Sequence, residues 1–155
     1  MLGKRLYSTM VEASWLDALD HVNFLEYQRA ADKASDQFWL EIGGEMPSPT
    51  ARLSFVIVET YASYQRELRL GDAVVIDTVL VGYDQRRVHL HHSVLRGEEL
   101  ASSVQILGLA FDLDSRRAAR WTPHMLAALA VWQPRLDATL LDHLMDWRLK
   151  GHAVV

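Results

Sequence analysis

Cysteine is absent from all 155 residues. That excludes disulfides, thiolate catalysis and cysteine-based zinc sites. There is no basic surplus either: 16 Lys and Arg stand against 20 Asp and Glu, a formal net charge of −4. A general nucleic-acid binder needs a basic stripe to meet phosphates, so no nucleic-acid partner is expected. An anionic ligand would need a local group of cations. No run approaches the roughly 18 apolar residues of a membrane span. The opening MLGKRLYSTM also lacks the apolar core of a signal peptide. These absences predict a cytoplasmic protein without a membrane partner. Internal repeats, low-complexity tracts and interior linkers are missing as well.

Half of the residues are hydrophobic, enough for a true core, and the length fits one domain. Residues 5–15 read as a first strand and 16–22 as a loop. A helix is predicted from about Phe24 to Ile42, with Phe24, Tyr27, Ala31, Ala34, Phe38 and Ile42 at helical spacing. Asn23 suits the N-cap, Glu26 three residues on completes a capping-box pattern, and Gly43-Gly44 is the stop. The many alanines of this helix let a sheet approach closely. The period then changes. Leu53–Arg66, Ala73–Tyr83, Arg87–Arg96 and Leu100–Leu113 are rich in β-branched and aromatic residues and are separated by turn signals. Short connections predict a meander of about four antiparallel strands. Pro123 should open a C-terminal helical region, and Leu136–Leu149 reads as a second amphipathic helix. The class is α+β, with residues 1–122 as the main body and 123–155 as a helical extension of it.

The segment Trp15-Leu16-Asp17-Ala18-Leu19-Asp20-His21-Val22-Asn23-Phe24-Leu25-Glu26-Tyr27 resembles the opening of the hydroxybenzoyl-CoA-thioesterase-like families. There an Asp is followed after three residues by His-Val-Asn, with an aromatic residue along the helix. A second segment, Leu80 to Arg96 with Gln85-Arg86-Arg87 at its turn, looks like a hairpin of the betainyl-CoA thioesterase group, associated with carnitine breakdown. Asp20 stands where that group has Gly. The resemblance implies a hotdog fold, a long helix wrapped by an antiparallel sheet of about five strands. It also implies hydrolysis of a small acyl-CoA thioester and a homodimer or tetramer. No cofactor beyond the CoA of the substrate, and no metal, is expected.

Thioester hydrolysis needs a group that polarises the carbonyl and a nucleophile, or a base that activates water. A helix N-terminus offers free N–H groups and partial positive charge, so the start at Val22–Phe24 can hold the developing oxyanion. Asp17, just before it, is the expected catalytic carboxylate, as base or as nucleophile. By itself it could equally be a capping residue. His21 is a candidate partner of that carboxylate. Asn23 reads first as a cap that aims the N–H groups. Glu59, mid-strand in an apolar run, shares a face with Ile57 and Tyr61 by simple alternation and is a candidate second carboxylate. Arg86, Arg87 and Arg66 are candidates for the CoA phosphates. Trp15, Phe24, Tyr27 and Tyr61 are candidates for the acyl pocket. With Trp39 and Tyr64 they could form an aromatic cage for a quaternary ammonium, although aromatics in a small domain are usually core. His89 and His91 share a strand face and His92 points away, which reads as ordinary sheet histidines. Two other functions remain open on sequence: a non-catalytic acyl-CoA or acyl-carrier binding module, and a hotdog hydratase or dehydratase.

Overall fold

The computed structural model describes residues 3–132, 143–147 and 149. Along the chain it contains β1 (Lys4–Met10), α1 (Phe24–Glu41), β2 (Leu53–Tyr64), β3 (Ala73–Tyr83), β4 (Arg87–Arg96), β5 (Glu99–Asp112), the two-residue β6 (Arg117–Ala118) and α2 (Pro123–Trp132). The sheet order is β1-β3-β4-β5-β2, antiparallel throughout, with β6 beside β5. This is the hotdog architecture.

Helix α1 lies on one face of the sheet. Its buried residues Tyr27, Ala30, Ala31, Ala34, Phe38 and Trp39 recur at three- and four-residue spacing, which is the stripe that a sheet-facing helix needs. Ile76, Leu80, Val88, Leu90, Val94 and Ile106 come up from the strands to meet it in one buried cluster. Removing Phe38 from water is worth roughly 2–3 kcal/mol. The alanines let the helix sit close. A polar bridge ties the layers together: His92, fully buried, meets Thr78 Oγ1 through Nδ1 at 2.8 Å and Ser35 Oγ through Nε2 at 2.9 Å. Ser35 spends its only proton on the Ala31 carbonyl. Nε2 of His92 therefore carries the hydrogen, and Nδ1 accepts from Thr78.

Four expectations change. The first strand ends at Met10, because Ala13–Trp15 turns as a 3-10 helix. Only β3, β4 and β5 form a meander; β2 lies beyond β5. Residues 65–72 carry the chain back past the ends of β5 and β4, about 14 Å at ordinary strand spacing. The amides of Gln65 and Arg66 both donate to the Ala101 carbonyl on the way. The capping box closes by half: Asn23 Oδ1 accepts from the Leu25 amide at 2.9 Å, but Glu26 pairs with Arg29. The Asn23 N–H that Glu26 would have taken donates to the Trp15 carbonyl instead. Finally, the helix read over 136–149 falls mainly outside the described residues, and 143–147 form no helix. Among the described residues no helix is long and apolar enough to cross a membrane.

Candidate active site

The loop from β1 to α1 is pinned by a small antiparallel bridge between Leu16 and Val22. Its hydrogen bonds run from Asp17 N–H to the His21 carbonyl (2.8 Å) and from Asn23 N–H to the Trp15 carbonyl (2.9 Å). Between them the chain reverses through Asp20, whose φ is 59°. Glycine adopts that left-handed conformation freely, and Asp is among the few other residues that tolerate it. The substitution of Asp for Gly at this position is thus compatible with the turn.

Inside this turn Asp17 Oδ1 accepts two backbone hydrogen bonds, from Leu19 (2.8 Å) and His21 (3.2 Å). The carboxylate is therefore held by one oxygen, and Oδ2 has no acceptor role among the described residues. The residue is exposed. At the adjacent helix start, Asn23, Leu25 and Glu26 spend their N–H groups on Trp15 O, Asn23 Oδ1 and Asn23 O. The amides of Val22 and Phe24 have no acceptor among the described residues. An oriented carboxylate and two open N–H donors at a helix N-terminus thus stand within a few residues of each other. That pairing can activate a water and stabilise an oxyanion.

His21 enters differently from its expected role. Its backbone N–H, not its ring, meets Asp17; the ring is turned to Glu67, with Nε2 3.8 Å from Oε1. Glu67 is a site neighbour that no spacing from Asp17 places there, because it lies on the loop that crosses the sheet end. The aromatic candidates separate. Phe24, Tyr27 and Tyr64 form a cluster in which Tyr64 stands nearly perpendicular to both others. The Tyr64 hydroxyl donates to the Phe24 carbonyl at 3.3 Å and accepts from Gln28 Nε2 at 3.2 Å. Tyr27 is buried, and its hydroxyl accepts from the Leu68 amide at 2.9 Å. Trp15 is half-buried against the core. Trp39 sits near the other end of α1, stacked on Phe55, with Nε1 donating to the Glu45 carbonyl; it takes no part in the cluster.

Glu59 moves for a structural reason. The β2–β5 register slips between Ile57 and Glu59, leaving Val58 as the extra residue of a bulge. Ile57 pairs with Gly108 and packs on the core, whereas Glu59 pairs with Leu107 and Tyr61 with Gln105. Glu59 and Tyr61 do share a face, but it is the face away from α1, and Ile57 is not on it. The arginines also divide. Arg66 is exposed near the Asp17 end, 3.1 Å from Glu99, and lines a cavity of about 370 Å³ with Arg69 and Arg96. Arg86 and Arg87 are at the opposite end of β3, roughly 30 Å away along the strand. Arg86 donates to the Ala118 carbonyl. Arg87 is gripped by Asp84 at 2.7 Å. Burial would raise the Asp84 carboxyl, but the amides of Arg86 and Arg87 and the Arg87 guanidinium outweigh it and hold the carboxyl below its ordinary range. His92 faces α1, and His89 and His91 occupy the other face of the sheet.

A family model described as the thioesterase-like superfamily matches residues 11–129. The chain belongs to that superfamily. A betainyl-CoA thioesterase of Pseudomonas aeruginosa is 30% identical over 125 residues, 78% of each chain. An L-carnitine dehydrogenase/betainyl-CoA thioesterase of Agrobacterium fabrum is 29% identical over 141 residues; they make up 90% of this chain but 29% of that longer protein. Among solved structures, a Staphylococcus aureus protein in complex with CoA superimposes with a TM-score of 0.77 at 19% identity, covering 94% of this chain and 96% of the other. A 1,4-dihydroxy-2-naphthoyl-CoA thioesterase from Synechocystis gives a TM-score of 0.70 at 13% identity, covering 80% and 93%. At such identities these two establish the shared fold. Within the superfamily match lie the Asp17 turn, the α1 start and the crossing loop with Glu67.

Proposed function

We propose that this chain hydrolyses a small acyl-CoA thioester to the free acid and CoA. The observation that carries the reading is the Asp17 carboxylate, fixed by one oxygen a few residues before the Val22 and Phe24 amides, which have no acceptor among the described residues. The free oxygen of Asp17 takes a proton from a water, whose oxygen attacks the thioester carbon. The carbonyl oxygen, now anionic, is held by those amides. The intermediate collapses by expelling the CoA thiolate, which takes up a proton. Direct attack by Asp17 to give a mixed anhydride is the alternative route. A single turnover in ¹⁸O-water separates the two, because only direct attack leaves protein oxygen in the first product.

The names of the relatives favour betainyl-CoA as the substrate, and the Phe24–Tyr64 corner supports that choice by offering aromatic faces to a trimethylammonium group. Arg66 and Arg69 supply cations for the CoA phosphates at the same end of the sheet. The outer edge of β2, twelve residues long, pairs with no strand among the described residues and is an unprotected sheet edge. We assign it to a second copy, giving a homodimer or a tetramer with Glu59 at the seam. A light-scattering mass equal to one chain would remove that part of the proposal.

The deciding experiment is thiol release across acetyl, branched, aromatic and betainyl CoA esters, with Asp17→Asn alongside. Asn keeps the turn's hydrogen bonds but is a poor base. Turnover should fall by about 10²–10⁴ while CoA binding persists. Undiminished turnover in the variant would overturn the mechanism. CoA binding by the unaltered chain with no hydrolysis of any ester would make it a binding module.

A further inference from the structure

The sheet face opposite α1 carries an open trough of about 1350 Å³. Its chemistry follows from strand register. One row of directly paired residues runs Arg5, Asp77, Ser93, Ser103 and Ser63 across five adjacent strands. Four steps of strand spacing make this row roughly 19 Å wide. The neighbouring row is Val79, His91, Gln105 and Tyr61. The three serines are the smallest side chains and form a floor. His91, Gln105 and Tyr61 stand along one side, and Leu95 and Leu100 along the other.

The lining narrows the ligand by elimination. The Arg5 guanidinium is spent on Asp77, Nε to Oδ1 at 3.0 Å and Nη2 to Oδ2 at 3.4 Å. Glu98 at the rim adds a negative charge. Among the described lining residues a phosphate or carboxylate would meet no unpaired Arg or Lys. A hydrocarbon chain would cover the Ser93 and Ser103 hydroxyls and leave them unpaired, at about 1–3 kcal/mol per group, whereas Ser63 Oγ already accepts from Gln65 Nε2. No cluster of three metal-ligating side chains occurs among the described residues. His91 adds a positive requirement. It is 3% exposed, it borders the trough, and its Nδ1 has no hydrogen-bond partner among the described residues. Burial pushes its pKa down to about 4, so at neutral pH it offers one donor and one acceptor and no charge. Tyr61, 48% exposed, adds an open ring face.

We propose that this trough binds a neutral, hydroxyl-rich small molecule, a sugar or polyol, whose hydroxyls meet Ser63, Ser103, Ser93 and His91 while its apolar face lies on Tyr61. The site is separate from Asp17 and does not depend on the hydrolase reading. The test uses the whole chain with ¹³C,¹⁵N-labelled histidine, titrated with maltose and, in parallel, with AMP and inorganic phosphate. Maltose should move the His91 ring resonances saturably, with millimolar affinity. Ser103→Val suits a strand and should weaken that binding by about tenfold or more, roughly 1.4 kcal/mol, while melting stays cooperative. If that variant does not fold, Ser63→Ala on the edge strand reads the same effect. The proposal is overturned by a His91 signal unmoved by maltose, by movement with AMP or phosphate in place of maltose, or by maltose binding indifferent to the serine substitution.

Discussion

Asn23 acts through three atoms, each with a different partner. Its side-chain oxygen caps α1, its N–H closes the Asp17 turn onto Trp15, and its carbonyl accepts from Glu26. Asn23→Ala deletes the first of these and keeps the backbone pair. The expected cost is about 1 kcal/mol, read as a lower urea midpoint at unchanged slope. Asn23→Ser should recover most of it. If the cap also aims the Phe24 amide, the Ala variant will lose turnover beyond its loss of stability and the Ser variant will not. Equal activity in both variants would separate the cap from the chemistry. At this scale much of the site was legible: Asp, Asn and an aromatic residue at fixed offsets mark a turn and a cap, which are local structures. The ring of His21 was not legible, because its partner Glu67 lies 46 positions away on the crossing loop, and no spacing rule reaches that far. Arg87 is the opposite case. A turn arginine looks free in sequence, yet Asp84, three residues before Arg87, already holds it.

Elements follow the same division. The bounds of β3 and β4 coincide with those expected because alternation and turn residues are short-range signals. The place of β2 depends on its register with β5, which is long-range. The bulge at Val58 breaks the strict alternation on which the facing of Glu59 was argued. The β2–β5 seam also carries a steric condition. A Cβ added at Gly108 would stand 2.2 Å from the Phe55 ring, and Phe55 is stacked on Trp39 and tilted against Phe38. Gly108→Ala must therefore push Phe55 off its stack, with an expected destabilisation of about 1–3 kcal/mol. Thermal melting and the near-ultraviolet signal of Trp39 should report it together. A variant as stable as the parent would mean that the ring moves aside freely.

For the whole molecule the buried histidines set the acid limit. Burial lowers the pKa of His92 to about 3 and those of His89 and His91 to about 4. For His89 the hydrogen bond to Gln105 opposes that shift without cancelling it. In the unfolded chain each titrates near 6.5. Between those values the unfolded state binds more protons, so stability is fully present above about pH 6.5 and is lost as pH falls toward 4. With all three groups titrating, the slope approaches roughly 4 kcal/mol per pH unit. Urea melts at a series of pH values should show this loss, and His92→Gln should reduce its slope by about one third. Constant stability from pH 7.5 to 5 would contradict the buried, neutral state of these rings.

The position of β2 at the sheet margin also bears on the order in which the chain assembles. The hairpins β3–β4 and β4–β5 join neighbours in sequence, so each can close early at small entropic cost. β2 is synthesised before them but pairs with β5, the last of the three, and must wait until the meander exists. Relative to the hairpins it is a late arrival with a far longer loop to close, the kind of contact that slows folding. In pulse-labelled hydrogen exchange the amides of β3 and β4 should gain protection ahead of those of β2. Until β2 docks, the free side of β5 is open to any other strand, so crowded refolding should favour mispairing there.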